Sequence, residues 1–391
     1  MIAPQLYAYM ESLLAQTDSA FHRYLYSSID WQARLIGIVG PRGVGKTTMV
    51  LQYIREHPAE QKALYVSADN AYFATHSLIE LADEWAKDMG QRLVIDEVHK
   101  YPDWSRELKQ IYDTHPDIHI VFTGSSILDI AKGSADLSRR ALMYTLQGLS
   151  FREYLQLFHH IHTPAVSLPD ILANKAAVEG VLHPLAYFRP YLEEGYYPFA
   201  IEGNFVPRMQ AVISQTIESD IAQFVDMKAA TARKLKKMLA IVATLAPFKP
   251  NADSLATEIG ISRNNVADYL LLLERAQMVG QLRDDTDGMR GFGKVEKVYL
   301  DNTNLMYVLN GTNINIGNVR ETFFYNQMRV QQEVVGSRLS DFTIGDCTFD
   351  VGGHKKGKKQ IEQVANGFVV RDDIETGYGN IIPLWAFGLN Y

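Results

Sequence analysis

The run GPRGVGKT, from Gly40 to Thr47, has the residue types and spacing of a loop that holds phosphate. It fits the pattern G-x-x-x-x-G-K-[ST] without a mismatch. Its glycines let the backbone bend so that several N–H groups point at one anion. A helix that begins near Lys46 would direct its positive end at the same place. The pattern predicts that Lys46 reaches the β- and γ-phosphates of a nucleotide and that the Thr47 hydroxyl binds Mg²⁺.

The segments around this loop have the required local structure. An apolar segment, LIGIVG (35–40), predicts a strand before it, and TTMVLQYIREH predicts a helix after it. A strand, a glycine-rich loop and a helix in this order are the setting in which such a loop works. The residues predicted to bind the nucleotide are Gly40, Pro41, Arg42, Gly43, Val44, Gly45, Lys46, Thr47 and Thr48.

Two acids end another apolar segment, RLVIDE (92–97). Asp96 is predicted to hold Mg²⁺ through its water shell, and Glu97 is predicted to orient and deprotonate a water. The alternative is a strand that merely ends in solvent. A further segment, IHIVFTGSS (118–126), ends in hydroxyl residues. Thr123 or Ser125 is predicted to touch the γ-phosphate or the attacking water.

A pair of arginines, Arg139 and Arg140, precedes the fifth apolar segment. An arginine at this point would reach the nucleotide of a neighbouring subunit and stabilise charge in the transition state. The alternative is a solvated basic turn. The pair therefore predicts a homo-oligomer only if one of these arginines reaches a neighbouring subunit.

Apolar segments alternate with amphipathic helical segments up to about residue 150. The predicted strands are 35–40, 63–69, 92–97, 118–126 and 141–150. Such alternation predicts a parallel sheet covered by helices on both faces. From 151 to 230 helical patterns at 151–162, 170–183 and 208–225 predict a helical lid or linker, interrupted by the aromatic, proline-containing run YFRPYLEEGYYPF.

Four segments together resemble a known family: GPRGVGKTT, LVIDEVHKYPDW, VFTGSS and LSRRALMYTLQGLSFREYL. They are similar to the AAA-type P-loop ATPases of bacteria and archaea that carry a winged-helix and a nuclease-like C-terminal region. The resemblance is strongest from about 34 to 155. It implies an α/β P-loop NTPase fold with strand order 5-1-4-3-2, and ATP and Mg²⁺ as ligands of Lys46, Thr47 and Asp96. It also implies that Glu97 is the base, Thr123 or Ser125 a γ-phosphate sensor, and Arg139 or Arg140 a finger.

The segment SLATEIGISRNNVADYLLLLERAQMV predicts a winged helix-turn-helix within 231–311. A DNA-reading helix would present Ser262, Arg263, Asn264 and Asn265. Asp268 and Glu274 on the same helix oppose phosphate binding. The basic residues lie elsewhere, at Lys234, Lys236, Lys237, Arg290, Lys294 and Lys297. DNA binding and a purely structural or protein-contact role both stay open.

The residues from 312 to 391 resemble a small α+β nuclease-like domain. Glu321, Asp341 and Asp350 supply acids, but Gly352 stands where such nucleases need lysine. His354, Lys355 and Lys356 follow on a glycine-rich segment. This departure predicts a degenerate domain that does not cut nucleic acid.

Composition restricts the remaining possibilities. The chain has 391 residues and a net charge of −7, which argues against general nucleic-acid binding. A single cysteine excludes an internal disulfide framework, and no apolar run approaches the roughly 18 residues of a membrane span. We therefore expect a cytoplasmic protein with P-loop domain 1–150 that binds and hydrolyses ATP as a nucleotide-dependent switch. The alternatives are ATP-controlled DNA binding or cleavage, and a nucleotide-binding scaffold with negligible turnover.

Overall fold

The structure is a computed structural model that describes residues 2–58, 62–124, 137, 139–222, 229–284, 294–311, 313–357 and 359–391. The described residues up to Gln147 form one compact unit, and those from Gly148 onwards form another. No helix in these ranges is long and apolar enough to cross a membrane.

The first unit alternates strands and helices. Its described strands are β1 (Leu35–Val39), β2 (Ala63–Ser67), β3 (Arg92–Asp96), β4 (His119–Gly124) and β5 (Leu142–Thr145). Its described helices are α1 (Pro4–Gln16), α2 (Lys46–Glu56), α3 (Leu78–Lys87) and α4 (Trp104–Thr114), with short 3₁₀ turns at Tyr26–Ser28, Ala71–Ala74 and Val98–Lys100.

The five strands form a parallel sheet in the order β2-β3-β4-β1-β5. This confirms the order that the sequence resemblance implied. Val39 lies opposite Gly124, and Ser67 lies opposite Asp96. Because all strands run the same way, their carboxyl ends share one edge, where ligands of open α/β sheets bind. That edge carries the loop from Gly40, Asp96 at the end of β3 and Glu97 directly after it.

The sheet is buried because its central strands are apolar on both faces. Leu35, Leu64, Leu93 and Ile120 have no exposed surface and belong to one hydrophobic cluster with Trp85 of α3. Continuous apolar runs of this kind are typical of parallel strands covered by helices. The cluster fixes the strands whose ends carry the candidate site.

The fifth strand is shorter than the predicted 141–150. It ends at Thr145, and its residues are mostly exposed. The prediction was wrong beyond that point because Ser150 caps the next helix in a reciprocal capping box with Glu153. Because the next helix begins directly after Ser150, the strand cannot extend to that residue.

An N-terminal segment, residues 17–28, lies along α2. Gln52 Nε2 donates to the carbonyl oxygens of Asp18 at 2.7 Å and Phe21 at 2.8 Å. Glu56 accepts hydrogen bonds from His22 at 2.7 Å and Tyr26 at 2.5 Å. Two side chains one turn apart on α2 therefore fasten this segment.

The second unit contains nine described helices. They are α5 (Phe151–His159), α6 (Leu168–Leu172), α7 (Leu185–Glu194), α8 (Phe205–Gln215), α9 (Ala229–Leu245), α10 (Ala252–Ile259), α11 (Asn264–Arg275), α12 (Thr303–Asn310) and α13 (Ile316–Met328). A π-helical turn follows α8 at Thr216–Asp220, and 3₁₀ turns lie at Pro198–Glu202 and Leu384–Leu389.

Two of the helix predictions for this unit were wrong. Helix α7 occupies the run predicted as an interruption and contains Pro190. Its Phe188, Tyr191 and Leu192 are buried, so packing outweighs the backbone hydrogen bond that proline removes. In contrast, the helix predicted over 170–183 stops at Leu172, because Asn174 takes a left-handed conformation with φ 56°.

The described strands of the second unit form a hairpin and a mixed sheet. The hairpin pairs β6 (Val279–Arg283) with β7 (Val295–Leu300). The sheet has the order β12-β11-β10-β9-β8. Its strands are β8 (Val334–Gly336), β9 (Phe342–Ile344), β10 (Cys347–Gly352), β11 (Gly367–Arg371) and β12 (Ile381–Pro383). Strands β10, β11 and β12 are parallel neighbours, and β8 to β10 are antiparallel.

Replacing Glu56 with glutamine tests how the N-terminal segment is held. Burial alone would raise the pKa of Glu56, but hydrogen bonds, chiefly from Tyr26 and His22, outweigh it and lower that pKa below 4.5. A lowered carboxyl pKa stabilises the fold above the unfolded value, and this stabilisation disappears as pH falls through the folded value. We expect Glu56→Gln to lower the free energy of unfolding by about 1–2 kcal/mol near pH 7.

The difference from wild type should be smaller at about pH 3 than near pH 7, because the carboxyl loses its charge as pH falls through the folded value. Urea titrations at both pH values measure it, with Glu11→Gln, at an exposed position of α1, as the matched control. An equal loss at both pH values would show that the carboxylate charge is not what holds the segment.

Candidate nucleotide-binding site

The loop between β1 and α2 has the backbone of a phosphate cradle. Gly40, Gly43 and Gly45 have φ angles of 154°, 84° and 95°. Side chains rarely tolerate these conformations. A Cβ added at Gly40 would lie 2.1 Å from the carbonyl oxygen of Leu146, which is fixed backbone. Gly40 is therefore required for two reasons: its backbone conformation, and the close approach of the Leu146 backbone.

The amino end of α2 faces this loop. Gly45 is its N-cap and supplies no side-chain hydrogen bond to the first turn. Such an end presents backbone N–H groups and a partial positive charge. The Lys46 ammonium folds over the loop and donates to the carbonyl oxygens of Gly40 at 2.9 Å and Pro41 at 2.8 Å. Lys46 is only 5% exposed, so the loop carries a buried cation.

The Asp96 carboxylate gathers three hydroxyl groups. Thr47 Oγ1 and the Tyr65 hydroxyl each donate to Oδ2 at 2.7 Å, and Thr123 Oγ1 donates to Oδ1. Burial, and then the nearby Asp96 charge, raise the pKa of Tyr65 far above its ordinary value of 10.0. Tyr65 therefore keeps its proton and remains a donor. These bonds compensate a charged group that is 3% exposed.

The arrangement of Thr47 and Asp96 fits a magnesium ion. A hydroxyl has one proton and two lone pairs. Because the Thr47 proton is directed at Asp96, its lone pairs are left for a cation. Magnesium prefers oxygen donors and retains several waters, through which a carboxylate can hold it. Thr47 and Asp96 are thus the residues that would hold Mg²⁺.

Glu97 has a constrained backbone and two polar neighbours. Its φ of 50° lies in the left-handed region, and its N–H donates to Thr123 Oγ1 at 3.2 Å. Its carboxylate lies 3.3 Å from His99 Nε2 and 3.9 Å from Arg42 Nη2. Non-glycine residues in this region are uncommon and concentrate at functional sites. The structure therefore holds this acid beside the loop.

The other predicted residues are distributed unevenly. Thr48 is exposed in the first turn of α2, whereas Val44 and Pro41 are buried in the loop. Thr123 contacts both acids, so it positions them whether or not it also senses phosphate. Ser125 lies outside the described residues. Its role stays a prediction.

The arginine pair is not brought to the loop. Arg140 comes just before β5, at the sheet edge opposite the loop, and forms two 3.0 Å hydrogen bonds with Asp113. Arg139 beside it is exposed. Neither side chain can serve the nucleotide site of its own chain from this edge.

Two residues near the site were missed by sequence reasoning. Tyr65 lies in the apolar strand ALYVS, which pairs with the strand that ends in Asp96. The hydroxyl of a tyrosine in an otherwise apolar strand was the one sign of a polar contact. Arg23 belongs to no motif, yet it is 5% exposed and donates to the carbonyl oxygen of Val44 in the loop. No local pattern marks it.

The acids that the sequence predicts for a nuclease-like domain are paired with lysines. Lys297 Nζ lies 2.9 Å from Glu321 and 3.4 Å from Asp341. Lys356 folds back over Gly352 and lies 2.8 Å from the buried Asp350. Lys356 therefore occupies the space that a side chain at position 352 would fill. A motif that requires lysine at that fixed position does not predict this arrangement. Across the described residues, no group of three or more His, Cys, Asp or Glu is placed to hold a metal ion.

The predicted DNA-reading residues lie at the start of α11. Ser262, Arg263, Asn264 and Asn265 are all exposed there. Leu255 and Ala256 of α10 and Val266, Leu270 and Leu273 of α11 are buried. Arg263 lies 3.5 Å from Asp253, Lys236 lies 2.6 Å from Glu218, and Lys237 donates to the carbonyl oxygen of Glu258. Lys294 is exposed, Lys234 is half-buried, and Arg290 lies outside the described residues.

Comparison with known proteins adds a family and distant relatives. Residues 32–155 match the family described as an AAA domain, and residues 185–315 match a domain of unknown function, DUF8612. The uncharacterized protein MJ1637 of Methanocaldococcus jannaschii is 27% identical over 265 residues, which cover 63% of this chain. The chain spans 56% of that relative's length.

Two solved structures are similar over larger parts of the chain. The Walker-type ATPase PABY2304 of Pyrococcus abyssi has a TM-score of 0.46 at 12% identity, covering 74% of this chain and 96% of its own. AMPPCP-bound DnaA of Aquifex aeolicus has a TM-score of 0.26 at 13% identity, covering 70% and 89%. Residues 32–155 thus match the AAA domain family, and the parallel sheet in the order β2-β3-β4-β1-β5 fits a P-loop NTPase core.

Proposed function

We propose that this protein binds Mg·ATP and hydrolyses it, and that it acts as a nucleotide-dependent switch. One observation carries the proposal: Thr47, at the start of α2, donates to Asp96, at the end of β3, over 2.7 Å. The two magnesium ligands that the motifs predict are thus adjacent in space, beside a loop that carries a buried lysine.

Binding follows from the charges of the loop. The backbone N–H groups at the amino end of α2 and the Lys46 ammonium both favour an anion. An incoming phosphate would compete with the carbonyl oxygens of Gly40 and Pro41 for the ammonium. When bound, Mg²⁺ would neutralise charge on the β- and γ-phosphate oxygens.

Hydrolysis requires a base that can reach a water near the terminal phosphate. Glu97 is the candidate because it follows Asp96 directly and its backbone is held by Thr123. Arg42 Nη2 and His99 Nε2 lie 3.9 Å and 3.3 Å from the same carboxylate oxygen, Oε2, and orient it. A positioned carboxylate of this kind orients the nucleophile and accepts its proton.

A homo-oligomer with an arginine acting between subunits is part of the same proposal. Arg140 is engaged with Asp113 of its own unit, whereas Arg139 is exposed beside it. Arg139 is therefore the better candidate to reach a neighbouring nucleotide. Because it lies just before β5, at the sheet edge opposite the loop, we expect it to act on another subunit.

Lys46→Ala tests nucleotide binding. Removing the ammonium should weaken binding of a fluorescent ATP analogue by about 10- to 100-fold, the usual range for hydrogen bonds to a charged group. Lys62→Ala, an exposed lysine before β2, is the matched control and should bind like wild type. Equal affinity in Lys46→Ala and wild type would contradict the site.

Glu97→Gln tests hydrolysis. The amide cannot accept a proton, so turnover should fall by about 10²–10⁴ while ATP affinity stays unchanged. Single-turnover phosphate release measures the rate. Glu107→Gln is the control, since Glu107 accepts backbone N–H bonds of α3 instead. Turnover in Glu97→Gln equal to wild type would assign the base to another residue, and negligible turnover in wild type would favour the scaffold alternative.

DNA binding and cleavage have weaker support. Lys236, Lys297 and Arg263 are each close to a carboxylate, which reduces their value for phosphate. Lys297 between Glu321 and Asp341 also occupies the position between two acids where a nuclease would place its metal.

We therefore expect no cleavage of plasmid or single-stranded DNA with Mg²⁺ or Mn²⁺, with or without ATP. Gel electrophoresis over several hours checks this. The control is Asp350→Ala, which removes the buried partner of Lys356. Cleavage by wild type that disappears in Asp350→Ala would support the nuclease alternative instead.

A further inference from the structure

A buried arginine outside every motif holds the phosphate loop. Arg23 is 5% exposed. One terminal nitrogen, Nη1, donates to the carbonyl oxygen of Val44, and the other, Nη2, donates to the carbonyl oxygen of Gln147 at 2.7 Å. Its planar fork thus joins the loop to the segment that follows β5. A guanidinium with two directed donors suits such a bridge better than an ammonium does.

The segment around Arg23 is fixed independently of the loop. Gln52 of α2 donates to the carbonyl oxygens of Asp18 and Phe21, just before Arg23. The Tyr24 hydroxyl donates to the carbonyl oxygen of Thr145 at 3.1 Å. The residues before and after Arg23 are therefore both held by hydrogen bonds. The Arg23 side chain thus contacts Val44 from a backbone whose position is fixed.

The position of the Val44 carbonyl determines where the next N–H points. In a planar trans peptide, the C=O of one residue and the N–H of the next point in opposite directions. Since the Val44 carbonyl is directed at Arg23, the Gly45 N–H is directed away from it. Gly45 precedes the first residue of α2, where loops of this kind present N–H groups to phosphate.

We propose that Arg23 is a positioning residue that sets the Val44–Gly45 peptide for phosphate binding. The inference rests on the proposed function, because it assumes that the loop binds the phosphates of a nucleotide. It predicts an effect on the phosphate portion of the ligand and none that depends on the base.

The test compares Arg23→Lys and Arg23→Met with wild type. A fluorescent ATP analogue is the probe, and ATP and inorganic triphosphate are the competitors. We expect Arg23→Met to weaken both competitors by the same factor, about tenfold or more. Arg23→Lys should fall between Arg23→Met and wild type, because it retains the charge but loses the fork. If Arg23→Met does not fold, Arg23→Lys alone carries the comparison.

Arg92→Lys and Arg92→Met are the matched controls. Arg92 is 1% exposed and also donates to a backbone carbonyl, that of Trp31 at 2.7 Å, but it lies at the amino end of β3. These variants should lower the melting temperature and leave the affinity of the folded protein unchanged. A purely structural role would make Arg23 behave in the same way.

The outcomes separate the inference from the function on which it rests. If wild type binds neither ATP nor triphosphate, the proposed function fails. If wild type binds both and folded Arg23 variants bind equally well, only the positioning role is overturned. A loss for ATP without a loss for triphosphate would also overturn it, because Arg23 would then serve another part of the nucleotide.

Discussion

The site depends on one buried carboxylate, Asp96, at the carboxyl end of the central sheet. A charge removed from water must be compensated by directed donors, and here three hydroxyls supply them. These hydroxyls belong to α2, β2 and β4. The hydrogen bonds that Asp96 requires therefore hold three elements next to its carboxylate. The sheet order makes this possible because β3 lies between β2 and β4.

The parts of the site that the sequence predicts are contiguous in the chain. The loop from Gly40 to Thr48 and the Asp96–Glu97 pair can be read directly, since each needs only local residues and a strand before it. The sheet order followed from a resemblance, and the structure confirms it. Features that depend on a few neighbouring residues, such as the glycine-rich loop and the acid pair, can therefore be predicted from the sequence.

The contacts that sequence reasoning missed join residues far apart in the chain. Tyr65 reaches Asp96 across 31 positions, and Arg23 reaches Gln147 across 124. No spacing rule applies to such pairs. The second unit shows the same limit, since Lys356 fills the space above Gly352 although a fixed motif looks for lysine at 352 itself. Packing also overrides local preference in α7, where buried aromatic residues keep Pro190 within a helix.

The close approach of Leu146 to Gly40 has a consequence for the order in which the protein matures. The motif is complete once Thr47 has been synthesised, but one wall of its loop is supplied by backbone about a hundred residues later. Bringing such distant segments together costs conformational entropy, and contacts of this kind slow folding. A nascent chain halted before β5 would carry every residue of the motif without the backbone that packs against Gly40. Competence of the loop is thus acquired when the last strand joins the sheet.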